Sequence, residues 1–199
     1  MGTPLELVWG ALRLDPAAFR SLLVAAPGAG VGLTVVYLAG LSLAVGQSVV
    51  LFAERVSPRR FAATLGVQAV LFLASFVGWA LAVWWVARVG FDAARPLRDV
   101  VAVVGLAHAP QLLGFLILTP YLGGPLQSLL SAWTLLATVV AAAAVFDLGA
   151  AQALACSASG WLVAQLLQRT LGAPLVRAGQ RVRAWVAGIE IASTARRER

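Results

Sequence analysis

The chain of 199 residues contains no lysine and no asparagine, and only one cysteine, one histidine and one methionine. Charged residues make up 12% of it, against about 25% in an ordinary soluble domain. Hydrophobic residues fill 61%, where roughly 45–50% is usual. That scarcity of charge excludes a soluble enzyme and a disordered tail. The lone Cys156 excludes an internal disulfide, and with it a secreted disulfide scaffold. There is no Gly-rich phosphate loop following a strand, no pair of carboxylates at membrane depth and no inverted repeat of the transporter kind. All 15 basic residues are arginine and the net charge is +7, a bias that GC-rich coding accounts for. The arginines flank apolar runs instead of forming a face interleaved with aromatics. They point to lipid headgroups and topology, with no nucleic-acid partner.

What the chain does have is long apolar runs. A bilayer core needs about 20 apolar helical residues per crossing. Residues 21–53 carry no charge but are punctuated by Pro27-Gly28-Ala29-Gly30, so the first span is placed at 31–53. The others are expected at 61–87, 100–118, 126–146 and 148–168. Glu54 to Arg60, Arg88 to Asp99, the cluster Thr119 to Pro125 and Asp147 with Gly149 mark the breaks. The expectation is an all-α polytopic membrane protein, a five-helix bundle over 31–168. A segment at 1–30 precedes it and a tail at 169–199 follows. Apolar runs recur along the whole chain, and an acidic residue, Glu6, precedes any arginine, so the pattern is not a signal peptide before a soluble domain.

Both ends read as amphipathic interfacial helices. Leu5, Val8, Trp9 and Leu12 repeat at helical spacing. Asp15-Pro16 then signals a new helix start, with Phe19, Leu22 and Leu23 following. In the tail, Pro174 opens a stretch with Leu175, Val182, Trp185, Val186 and Ile189 on one side. Arg177, Arg181 and Arg183 lie on the others, as headgroup contacts. With five spans the termini fall on opposite sides. Arg13, Arg20, Arg88, Arg95 and Arg98 lie with the N-terminus, while Arg55, Arg59, Arg60, Arg169, Arg177, Arg181 and Arg183 lie with the tail. Seven arginines against five favour the C-terminus inside.

Polar residues within spans are functional candidates. His108 stands in the third span with Pro110 and Gln111 beside it. As a metal ligand it would need partners that Cys156 alone does not provide, so no metal and no cofactor is expected. Ser157 and Ser159 could pair with His108 for intramembrane proteolysis, but glycine does not flank either serine on both sides. Ala151, Ala155 and Ser159 recur every four residues and are matched by Ala137, Ala141 and Val145, which predicts close packing of the last two spans.

Several strings resemble the Yip family, small membrane proteins named for interaction with Ypt/Rab GTPases, and its bacterial members in particular. "LRLDPAAFRSL" followed by "AAPGAGVGL" resembles the family's pre-membrane segment and entry to the first span. "RPLRDVVAVVGLAHAPQLLGFL" resembles the entry to the third, with Gly105 and Pro110 in the corresponding places. "TPYLGGPLQSLLSAWTLL" resembles the turn and fourth span with its tryptophan, Trp133. "FDLGAAQALACSASGWLV" resembles the start of the last span with its Ala-Leu pair, Ala153 and Leu154. The resemblance implies five membrane helices without catalytic residues, and in eukaryotic relatives a cytosolic N-terminus, opposite to the arginine count. A bacterial member has no Rab partner, so the traffic role does not transfer.

The readings that follow are three. A non-catalytic scaffold or membrane-organising protein in the bacterial inner membrane comes first, with the bilayer and other membrane proteins or further copies of itself as partners. A small transporter or channel subunit comes second, and needs His108, Gln111, Gln68 and Gln152 to converge. An intramembrane enzyme comes third.

Overall fold

The structure, a computed structural model, describes residues 3–24, 28–53, 58–119, 122–166 and 169–170, with side chains described outside 47–53 and 58–71. All regular structure among the described residues is helical. Two short helices, α1 (Pro4–Leu12) and α2 (Pro16–Val24), precede the long α3 (Gly28–Ala53) and α4 (Pro58–Phe91). Next come α5 (Leu97–Ala107), a 3-10 helix η1 (Ala109–Leu118) and α6 (Gly123–Phe146). A last helix, α7, covers 150–166. Among the described residues, four segments are long and apolar enough to cross a membrane: Gly28–Gly46, Phe72–Phe91, Leu97–Leu118 and Gly123–Phe146. The chain is therefore a multi-pass membrane protein. The described part of α7 is not among these four.

Local chemistry sets the helix starts. At α1 the Thr3 hydroxyl accepts from the Glu6 N–H at 3.3 Å, and the Thr3 N–H donates back to Glu6 Oε2 at 2.9 Å. This reciprocal pair satisfies two of the amides that a helix start leaves free. At α2 the Asp15 carboxylate accepts from the Ala17 N–H at 2.9 Å, and Pro16 sits where a missing N–H has no consequence.

The N-terminal helices α1 and α2 also pack on the bundle. Phe19 and Leu22 are fully buried, and they share one core with Val35 of α3, Val103 and Leu106 of α5, and Ala137, Ala141 and Val145 of α6. The apolar stripe on α1 is divided between core and surface, Val8 and Leu12 packing against the core. Leu7 and Ala11 are buried, whereas Leu5 and Trp9 are 77% and 56% exposed. The outward Trp9 ring carries the Arg13 guanidinium 5.0 Å from its centre.

Helix boundaries differ from expectation where charge was taken as a stop. α4 continues past Ala87 to Phe91 because Arg88 stays exposed and lies over the Trp84 ring at 5.5 Å. The helix ends where Asp92 takes a left-handed conformation (φ 53°). The Trp84 indole then donates to the Arg95 carbonyl at 3.1 Å, closing the loop onto the helix. Asp147 repeats the device after α6, again at φ 53°. Its carboxylate faces Arg95 at 3.8 Å, and Arg20 donates to the Ala144 carbonyl at 3.1 Å. Helix α2, the 92–96 loop and the α6–α7 turn thus gather at one end of the bundle, as the alternation of spans requires. The basic tail with Arg177, Arg181 and Arg183 lies outside the described residues.

The main structural departure is in the third span. It was expected as one helix over 100–118 but is α-helical only to Ala107 and continues as a 3-10 helix. Pro110 is the cause. It has no N–H to bond back to Leu106, and its ring would strike that carbonyl. The residue before a proline is also steered away from the α conformation. The His108 N–H bonds to the Gly105 carbonyl at 3.1 Å, and the Gln111 N–H to the His108 carbonyl at 2.9 Å.

Candidate functional site at the break in the third span

Ten residues of 3-10 helix are unusual, since the geometry normally lasts three or four. Neighbouring helices support it. Ser42 of α3 donates to the Leu112 carbonyl at 2.7 Å and accepts from the Phe115 N–H at 2.9 Å. Two glycine crossings bring α3 alongside the broken span, the chains running in the same direction. At the first, a Cβ on Gly105 would lie 2.7 Å from the Gly32 carbonyl carbon, and one on Gly32 would lie 2.9 Å from the Ala102 Cα. At the second, a Cβ on Gly46 would meet the Gly114 carbonyl, and one on Gly114 would lie 3.1 Å from the Leu43 backbone nitrogen. Only hydrogen fits at these positions, the packing mode of close membrane helices.

His108 occupies the joint and is buried. Its Nδ1 lies 2.7 Å from the Val104 carbonyl. A carbonyl oxygen only accepts, so the neutral ring carries its hydrogen on Nδ1 and presents Nε2 as an acceptor. Three aromatic rings of α4 meet the imidazole edge-on: Phe72 at 6.2 Å, Phe76 at 5.4 Å and Trp79 at 5.3 Å between centres. None of these is a metal ligand. Among the described residues no three His, Cys, Asp or Glu side chains gather.

Gln111 comes one 3-10 turn later and is also buried. Its amide donates to the Thr134 hydroxyl of α6 at 3.2 Å. Thr134 in turn donates to the Leu130 carbonyl, and Thr138 to the Thr134 carbonyl, each at 2.8 Å. On the α4 side, Trp79 lies against Gly160 of α7, where a Cβ would be 2.6 Å from the indole Nε1.

Of the residues singled out from sequence, His108, Gln111, Gly105 and Pro110 come together at this break. Trp133 lies elsewhere, donating from its indole to the Leu12 carbonyl at 3.2 Å and so fastening α1 to α6. Ala153 is buried but Leu154 is 51% exposed. The expected packing face Ala151, Ala155 and Ser159 is not the inner one. Ala151 and Ala155 are exposed, and the buried positions are Ala153, Cys156, Ser157, Gly160 and Ala164. Ala137, Ala141 and Val145 pack with α2, α3 and α5 in one core cluster, whereas Ala142 and Phe146 of α6 share the other with Ala153, Cys156 and Ala164. A four-residue repeat of small side chains marks a stripe but cannot say which of two such stripes turns inward.

Neither serine is bonded to His108. Ser159 donates to the Cys156 carbonyl at 2.7 Å, and the buried Ser157 hydroxyl makes no hydrogen bond. The four-residue polar path is not assembled, because exposed Gln152 accepts from the Gly149 N–H at the α6–α7 turn. The Gln68 side chain lies outside the described residues. Sequence reasoning missed Ser42, whose partners are about seventy residues away in the chain. No protein-family model, curated protein or solved structure matches the chain.

Proposed function

We propose that this chain is a non-catalytic, Yip-like membrane protein with five spans, which organises the bilayer or binds other membrane proteins in a bacterial inner membrane. The observation that carries the reading is how its polar side chains are used. Ser42, Gln111, Thr134 and Trp133 bond across or along helix contacts, so they join helices instead of lining a route. The large apolar residues left over face outward, among them Tyr37, Leu81, Leu129, Leu136 and Leu162, where lipid or another membrane helix fits. The amphipathic ends act at the headgroup layer, Arg177, Arg181 and Arg183 binding anionic lipid, and the arginine count favours the C-terminus in the cytoplasm. Purification in mild detergent followed by mass spectrometry should recover a stoichiometric partner or an oligomer. A clean monomer without partner overturns the proposal. A reporter fused after Arg199 tests the orientation.

A second reading, a small transporter or channel subunit, loses the four-residue path because Gln152 sits at the α6–α7 turn, and rests only on the unpartnered polar atoms near His108. It requires solute flux in proteoliposomes that falls on His108→Ala; no flux removes it.

A further inference from the structure

Among the described residues, four buried polar atoms make no hydrogen bond: Ser75 Oγ, Trp79 Nε1, Gln111 Oε1 and Ser157 Oγ. Their residues are 5%, 7%, 7% and 0% exposed. Inside a bilayer such groups are costly, because lipid offers no partner. A serine on a helix can turn its hydroxyl to the carbonyl of the preceding turn. Trp79 Nε1 and Gln111 Oε1 have no such outlet, the first being only a donor and the second only an acceptor.

Helix register brings the four residues toward one junction, with the Gln111 amide tied to α6 beside it. The Trp79 ring is edge-on to His108 and packed on Gly160. Ser157 precedes Gly160 by about one turn on the buried face of α7, and Ser75 precedes Trp79 by about one turn on the buried face of α4. Gln111 follows His108 by one 3-10 turn, which places the two side chains in line. His108 adds the Nε2 acceptor. Among the described residues, the buried polar ones include no carboxylate and no arginine, so an ion finds no counter-charge among them. A guest must be small and neutral, and must both donate and accept. Water meets that description, and buried water typically bonds two to four such groups.

We propose that the junction of α4, the broken third span and α7 binds internal water, held by the Trp79 indole N–H, the Ser75 and Ser157 hydroxyls and the Gln111 carbonyl. The site is a hydrated joint within the membrane domain, a role separate from partner binding.

The full-length protein in lipid nanodiscs, labelled with nitrogen-15 at its tryptophan indoles, provides the test. The Trp79 signal is assigned by its loss in Trp79→Phe. Magnetisation transfer from water to that indole N–H is expected. Ser75→Ala and Ser157→Ala should each weaken the transfer and lower the melting temperature by roughly 2–4 °C. Absence of transfer to Trp79, while the exposed Trp9 shows it, overturns the proposal whatever the variants do. Transfer that neither alanine variant changes, with melting temperatures at or above the parent's, overturns the assignment of the two serines. Removing idle buried hydroxyls would give that result.

Discussion

One methyl group separates two kinds of glycine in this bundle. A Cβ on Gly105 would press on the Gly32 backbone at 2.7 Å, and backbone cannot step aside. Gly105→Ala should therefore cost about 1–3 kcal/mol, as overpacking does, and lower the detergent melting temperature. Gly124, in the first turn of α6, has nothing within 4 Å of its missing Cβ. Gly124→Ala should be neutral or add up to about 1 kcal/mol by restricting the unfolded chain. Equal effects from the two would contradict the packing described. At His108 the surroundings are aromatic, so shape matters more than polarity. His108→Ala should cost about 2–4 kcal/mol and His108→Phe less than about 1.5, compared in the same melting assay. His108 was legible in the sequence as the single histidine of an apolar run, but its aromatic enclosure by α4 was not, because a linear pattern does not say which helices touch.

At the scale of elements, polar bonds fasten the short N-terminal helices to α6, α1 at its middle and α2 near its end. Trp133→Phe removes the indole bond to the Leu12 carbonyl, leaving that carbonyl without its partner. The expected loss is about 1–2 kcal/mol, with faster proteolysis of α1 than of the spans. The break in the third span was foreshadowed by Pro110, yet apolar length alone drew that span as one helix. Its continuation as a 3-10 helix depends on Ser42 and on the Gly46–Gly114 crossing, both far away in sequence. The Asp147 turn was legible because one acid interrupts two apolar runs. The face that α7 turns inward was not, since Ala151 and Ala155 offer the same small size as Ala153 and Gly160.

For the whole molecule, the contacts fix which segments share a side. Arg95 faces Asp147, and Arg20 reaches Ala144 at the end of α6. Cysteines introduced at Ala94 and Gly149, both exposed, should react alike with a membrane-impermeant thiol reagent, and one at Leu122, at the other end of α6, should behave oppositely. Ala94 and Gly149 responding differently would break the topology. The buried Cys156 should stay unlabelled. Scarcity of charge in the sequence foretold a membrane bundle and where its ends lie. It did not foretell the docking of α1 and α2 into the core, because their buried residues are too few to stand out from a uniformly apolar chain. The arrangement also sets an order of birth. The third span enters the bilayer with a proline-broken backbone whose Leu112 carbonyl and Phe115 amide both look to Ser42. Ser42 belongs to the first span, which a ribosome delivers earlier. The helix that needs a chaperone arrives after the helix that serves as one. A chain shuffled to reverse that order would have to expose the broken backbone to lipid while it waited.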